Sequence, residues 1–276
     1  MRQVSPPPDQ LRSGMSAPMA APGAAPYVRT MGTFQVIRGR SPFDTAEWPS
    51  KKARELFKLL IARRGRPTAR ELLMDTLWPD DEPTRCANRL SVALSTIRTV
   101  LDPYRRYPAD HFVSTDKYVV SLSNVTVDVE VFLAAAREAV LRYENGEPDA
   151  LTALALAEAG YAGDFLAEDR YYEWAVSLRE LARASYLDLV RTLATAAARS
   201  GDYERAQAYQ LRALERDPFD EQAHLGLIDA LACTGKHDRA RRQYHDYRRQ
   251  MDRIGIEPVP FPPHRVAARP LSTVGR

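Results

Sequence analysis

The stretch Pro83 to Asp102, PTRCANRLSVALSTIRTVLD, constrains this chain more than any other. At about 100° of rotation per residue, Leu90, Leu94, Ile97 and Leu101 fall in one narrow stripe, the spacing of a helix lying on a core. The same rotation places Arg85, Asn88, Val92, Ser95 and Thr99 opposite that stripe, with Arg89 and Thr96 on one flank. This outward face carries guanidinium, amide and hydroxyl groups and no carboxylate, in a chain with 36 Asp and Glu against 39 Lys and Arg. It suits the negative field of a major groove, where Arg reads guanine edges, Asn reads adenine edges, and Ser or Thr reaches bases or phosphates. An ordinary solvated helix face is polar as well, so the neighbouring elements must decide.

Those neighbours form a recognisable series. Val28, Phe34, Val36 and Ile37, punctuated by Gly39, predict short strands between Tyr27 and Trp48. Ser50 then caps a helix with Ala53, Leu56, Phe57, Leu60 and Ile61 on one side, and Gly65 supplies the stop. Lys51, Lys52, Arg54 and Lys58 are expected near its exposed side or N-terminal end, as phosphate contacts or as plain solvated charges. Thr68 and Glu71 have the spacing of a capping box before Leu72, Leu73 and Leu77, and Trp78-Pro79 ends that second helix. Pro83 fits the first turn of the third, where its missing N–H costs nothing. Two β-rich runs, Phe112 to Thr115 and Tyr118 to Leu122, then flank Asp116-Lys117 as a hairpin. Strands, three helices and a hairpin make a winged helix-turn-helix, whose third helix enters the major groove while the hairpin tip approaches the minor groove or backbone. Asn88 and Arg89 are then the first choices for base contacts; Arg85, Val92, Ser95, Thr96 and Thr99 share the face, and Lys51, Lys52 and Lys117 are phosphate candidates.

Charge divides the chain at about the same place. Tyr27 to Val127 holds 17 Lys and Arg against 11 Asp and Glu, whereas Asp128 to Pro260 holds 17 against 24. A basic half followed by an acidic half fits a nucleic-acid-facing domain joined to a protein-facing one. After a linker from Ser123 to Val127, Val131, Phe132, Ala135, Ala139 and Val140 mark another amphipathic helix, and the pattern stays helical almost to Arg253. Within it Gly201, Tyr203 and Ala206 recur 34 residues later as Gly235, His237 and Ala240, and Leu193, Ala194 and Ala197 recur as Leu227, Ile228 and Leu231. That is the tetratricopeptide period, used for binding proteins or peptides or as a purely structural stack. Met1 to Pro26, rich in Pro, Ala and Gly, and the basic stretch from Phe261 to Arg276 are expected to be disordered and flexible tails.

Little else carries chemistry. Cys86 and Cys233 make no metal-ligand spacing with each other or with the histidines, and His224, His237 and His245 read as exposed or partly packed helix residues. Gly235-Lys236 is no P-loop, since Ala230 and His237 occupy positions that need glycine and a hydroxyl. No catalytic constellation, cofactor or metal site is expected, nor any membrane span, and the chain is expected to be cytoplasmic.

The sequence KKARELFKLLIARRGRPTARELLMDTLWPD, followed by NRLSVALSTIRTVLD, the VDVEVF run and the GDF at Gly163 to Phe165, resembles the Streptomyces antibiotic regulatory proteins. The resemblance runs from about Tyr27 to Pro260. It implies a mainly α chain, with an OmpR-type winged helix-turn-helix over 27–127 and a tetratricopeptide-like bacterial transcriptional activator domain over 128–260. It further implies a pathway-specific activator of a secondary-metabolite (antibiotic) gene cluster. Such a protein binds direct repeats in double-stranded DNA as a homodimer and helps RNA polymerase to engage. No receiver domain is expected before the winged helix and no ATPase domain after the repeats. Lys117 stands where the family commonly has glycine. A helical-repeat adaptor and a repressor of the same fold are the alternatives.

Overall fold

The structure, a computed structural model, describes residues 25–39, 41–43 and 45–261. The expected tails lie outside these, apart from Ala25, Pro26 and Phe261. The chain divides into two units, the first ending at Ser185 and the second beginning at Tyr186.

The first unit opens with β1 (Tyr27–Arg29), β2 (Gln35–Arg38) and β3 (Ser41–Phe43), which form an antiparallel meander. Pro42, which has no N–H to offer a ladder, is tolerated because β3 is an edge strand. Phe34, Phe43, Trp48 and Phe57 close over this meander with ring centroids 5.7 to 6.2 Å apart. Phe57 belongs to α1 (Lys51–Ala62), whose N-cap is Ser50; the Ser50 hydroxyl accepts from the Ala53 N–H at 3.2 Å.

The expected capping box is replaced by a strand. Thr68 and Ala69 form β4, and the Thr68 hydroxyl donates to the Arg66 carbonyl at 3.1 Å and caps nothing. Thr68 is buried and paired with Val120, so its backbone is extended and its side chain points into the core. α2 (Arg70–Leu77) therefore begins without a side-chain cap, and its Arg70 N–H donates to the Tyr118 carbonyl at 2.8 Å. α3 (Pro83–Leu101) follows, then β5 (Val113–Thr115) and β6 (Val119–Leu122), giving a sheet of order β4-β6-β5. Leu56, Leu60, Ile61, Leu73, Leu77, Leu90, Leu94 and Ile97 are among the buried residues of these three helices.

The expected linker contains a strand as well. β7 (Thr126–Val127) runs parallel to β1, pairing Val127 with Val28, and leads without a turn into α4 (Asp128–Glu144). α4 buries Val129, Phe132, Ala136 and Ala139, while Val131 and Ala135, expected on the packed side, are exposed. Asp128 sets that rotation, because its carboxylate accepts from the N–H groups of Thr30 and Met31 and from the Thr30 hydroxyl. α5 (Ala150–Ala159) packs back on α4, and the GDF turn follows. Gly163 adopts φ 145°, and a Cβ there would meet the Gly32 Cα at 3.3 Å. That close approach lets Phe165 bridge to Met31 and bury its ring completely. The Asp164 carboxylate accepts from Arg183 at 2.5 Å and from the Tyr161 hydroxyl at 2.6 Å.

α6 (Glu173–Arg199) contains the division between the units. The second unit continues with α7 (Tyr203–Arg216), α8 (Glu221–Cys233) and α9 (His237–Arg253). The 34-residue repeat is structural: Gly201 and Gly235 both take positive φ, 79° and 73°, between successive helices. The repeated positions Leu193, Ala194, Ala197 and Ala206 are buried, as are Leu227, Ile228, Leu231 and Ala240. His224, expected to be exposed or partly packed, is buried: its ring nitrogens meet the Pro218 carbonyl and the Gln243 amide, each at 2.9 Å.

Tyr247, one repeat on from Ala213, fills the core beneath the last helix. Its hydroxyl donates to Glu221 at 2.5 Å and accepts the Val259 N–H at 2.9 Å. Burial and the carboxylate beside it push the phenol up to about 12. Tyr247→Phe should cost about 1–2 kcal/mol in denaturant unfolding and speed amide exchange at Val259. An unchanged Val259 exchange rate would show that the hydroxyl does not tie down the C-terminal segment.

Candidate nucleic-acid interface

α3 carries the candidate site, and its two faces are sharply different. Cys86, Leu90, Ala93, Leu94, Ile97, Val100 and Leu101 are buried. Arg85, Asn88, Ser91, Val92, Ser95 and Thr99 are exposed, Val92 at 67% despite being apolar. The hydroxyls are already oriented by the helix. Ser91 donates to the Ala87 carbonyl at 2.9 Å, Thr96 to that of Val92 at 3.0 Å and Thr99 to that of Ser95 at 3.1 Å. In this state they present acceptor lone pairs outward, which suits the amino groups of adenine and cytosine better than phosphate oxygens.

Arg89 differs from the rest of the set. It is half-buried and its guanidinium is paired with the carboxylate of Asp81, in the turn before α3. Arg85 Nη1 lies 3.9 Å from the other oxygen of the same carboxylate. The helix face itself is free of acid, but the preceding turn brings one to its N-terminal end.

The hairpin tip is built without glycine. Asp116 Oδ1 accepts from the N–H groups of Tyr118 at 2.6 Å and Val119 at 2.7 Å, and the Asp116 N–H donates to the Val119 carbonyl at 3.1 Å. The side chain thus closes the turn, and Lys117 is not among the residues of positive φ. The hydrogen bonds from Val119 and Tyr118 hold the Asp116 carboxyl below its usual value. Its contribution to the tip is therefore present above the ordinary carboxylate value and is lost as pH falls through the lowered one. Lys117 stands exposed, its ammonium 5.2 Å from the centre of the Tyr118 ring.

Arg98 couples this wing to the helix. Its Nη2 donates to the Val113 carbonyl at 3.0 Å and to the Thr115 hydroxyl at 3.2 Å. Beyond it, Ser95, Arg98, Thr99, Arg105 and Tyr107 line a cleft of about 320 Å³. The loop bearing Arg105 also exposes Arg106, whose guanidinium lies 5.1 Å from the Tyr104 ring centre. The run Tyr104-Arg105-Arg106-Tyr107, basic groups interleaved with aromatics, signals this loop in the sequence but lies outside the helical stripe. Arg98 and Asp81 carry no such signal, since their partners are distant in sequence or set by a turn.

The remaining lysines are placed less centrally. Lys51 and Lys52 are exposed on the first turn of α1, and Lys52 is paired with Glu55 at 3.0 Å. Lys58, expected near the exposed side, is 3% exposed; it is paired with Asp169 and sits 4.5 Å from the centre of the Phe34 ring. Arg54 is turned toward the Thr45 carbonyl, at 2.6 Å. Among the described residues there is no cluster of three or more His, Cys, Asp and Glu arranged to hold a metal ion, and no helix long and apolar enough to cross a membrane.

Residues 46–117 match the family described as Transcriptional regulatory protein, C terminal, and residues 127–261 match the Bacterial transcriptional activator domain. Mycobacterium tuberculosis EmbR, solved in complex with a low-affinity phosphopeptide, has a similar fold, with a TM-score of 0.73 at 19% identity. The likeness covers 86% of this chain and 62% of the EmbR chain, less than two thirds of its length. No curated protein matches the chain. The two matched domains, an OmpR-type winged helix followed by a bacterial transcriptional activator domain, give the chain the architecture of the Streptomyces antibiotic regulatory proteins, a transcriptional-regulator architecture.

Proposed function

We propose that the protein is a cytoplasmic, nucleoid-associated activator, specific for one secondary-metabolite gene cluster. It binds direct repeats near a promoter side by side as a dimer and aids RNA polymerase. The observation that carries the DNA-reading part is the acid-free exposed face of α3, with Arg85, Asn88, Val92, Ser95 and Thr99 aligned along it. Asn88 and Arg89 specify sequence, Thr96 and the other hydroxyl residues supplement them, and Lys51, Lys52 and Lys117 add salt-dependent attraction to phosphate. The matched domains are regulatory, and no catalytic role is proposed.

Selection of bound fragments from sheared genomic DNA, at near-physiological salt where phosphate-only binding is suppressed, tests this reading. Enrichment of one promoter carrying a repeated short motif supports it, and enrichment of nothing by folded protein moves the function to the helical repeats. Run-off transcription with purified polymerase then separates an activator from a repressor. On the recovered operator, Arg89→Ala should cost about 1–3 kcal/mol and relax preference at one base pair. Lys117→Ala should weaken all sequences alike and lower the salt slope by about one. Equal losses on operator and random DNA for both variants would overturn this division of roles.

A further inference from the structure

The geometry points to Asp81 as the residue that positions Arg89 for reading a base, and so as a determinant of specificity that does not itself contact DNA. This rests on the reading of Arg89 as a base-contacting residue. The Asp81 carboxylate engages Arg89 through Nη1 and lies 3.9 Å from Arg85 Nη1, which leaves the other edge of the Arg89 guanidinium uncommitted. The turn holding Asp81 does not depend on that carboxylate. Its N–H donates to the Trp78 carbonyl at 3.3 Å, and its carbonyl accepts from the buried Cys86 thiol at 3.5 Å. The backbone is fixed from within, and the side chain is directed at the two arginines.

Two physical consequences follow. A long arginine side chain that is held before DNA arrives loses less rotamer freedom on forming a paired contact with guanine, so the correct base is favoured more strongly over the others. A carboxylate at the N-terminal end of a recognition helix, where base contacts are made, also repels phosphate from any sequence. Asp81 thus lowers general affinity while raising discrimination. A residue that only stiffens the turn would affect every duplex in the same direction.

The test compares Asp81→Asn, Asp81→Glu, Arg89→Ala and the double variant D81N/R89A as full-length proteins. Binding is measured to the selected operator, to its single-base substitutions, and to a random duplex of equal length. Asp81→Asn should lower discrimination about tenfold at the base pair where Arg89→Ala does. Its affinity for random DNA should be a few-fold higher, and its melting temperature unchanged. Asp81→Glu should restore part of the discrimination, and D81N should cost no further discrimination in the R89A background. If Arg89→Ala abolishes discrimination at one base pair and Asp81→Asn leaves it intact, the positioning role is overturned while the base-reading role of Arg89 stands. If Arg89→Ala itself leaves discrimination untouched, the reading of Arg89 fails and the inference with it. A uniform loss on all duplexes with D81N, repeated in the R89A background, would make Asp81 a structural residue only.

Discussion

Asp128→Ala should destabilise the protein by about 3–5 kcal/mol, the larger of two effects expected from residues that join the winged helix to the helices after it. The Asp128 side chain is buried and accepts from Thr30 N–H at 2.8 Å, Met31 N–H at 3.0 Å, its neighbour Val129 N–H at 2.8 Å, and the Thr30 hydroxyl. Thr30 and Met31 are 0% and 4% exposed, so alanine leaves their donors without partners and without ready access to water. The loss should appear as a lowered urea midpoint of the full chain, and a change below about 1 kcal/mol would show that the loop relaxes to rehydrate them. Asp128→Asn separates charge from hydrogen bonding. Burial pushes the Asp128 carboxyl above its ordinary 3.8, outweighing the hydrogen bonds that favour the anion. With the native value raised, the stability this titration confers is full below 3.8 and is lost as pH rises through the native value. Asn cannot titrate, so this variant should show a flatter stability profile across that window.

Lys58→Ala should cost about 2–4 kcal/mol by a different route. The ammonium is withdrawn from water, pairs with Asp169 and faces the Phe34 ring, so its removal strands a carboxylate whose side chain is 20% exposed. That residual exposure places the cost toward the low end of what a broken buried pair incurs. Replacing both partners with apolar residues of similar size, Lys58→Met with Asp169→Leu, should recover most of the loss, because it also removes the desolvation of two charges. Urea unfolding of the single and double variants checks this, and a double variant as unstable as Lys58→Ala would mean that the ion pair is a net stabiliser. Asp128 and Lys58 both link segments on either side of the interval between the matched families, of which the first ends at residue 117 and the second begins at 127, within a first unit that extends to Ser185.

Much of the architecture was legible because it is written at short range. The stripe of Leu90, Leu94, Ile97 and Leu101 is a statement about rotation per residue, and its burial follows wherever a core exists to receive it. The Ser50 cap, the stop at Trp78-Pro79 and the repeat around Gly201 and Gly235 depend on neighbours within a few residues or on an exact period. The capping box failed because Thr68 satisfies a local rule and a distant one at once: pairing with Val120 demands an extended backbone and an inward side chain, which removes the hydroxyl from the helix end. The phase of α4 departs from its apolar periodicity for the same reason. Its rotation is set by a carboxylate bound to a loop nearly a hundred residues earlier, which no helical periodicity encodes.

The candidate site divides along the same line. The residue types and spacing on α3 were decided by the sequence, since a helix exposes whatever its core stripe leaves over. Which of those side chains are free and which are held was decided by the tertiary structure. Arg89 is turned to Asp81 by a turn that Cys86 closes, Lys58 is drawn inward by Asp169, and the wing is tied to α3 through Arg98. Local periodicity determines a face because rotation per residue is fixed by the backbone. The partner of a long charged side chain is determined by whatever the fold brings within a few ångströms, and that is a property of the whole chain.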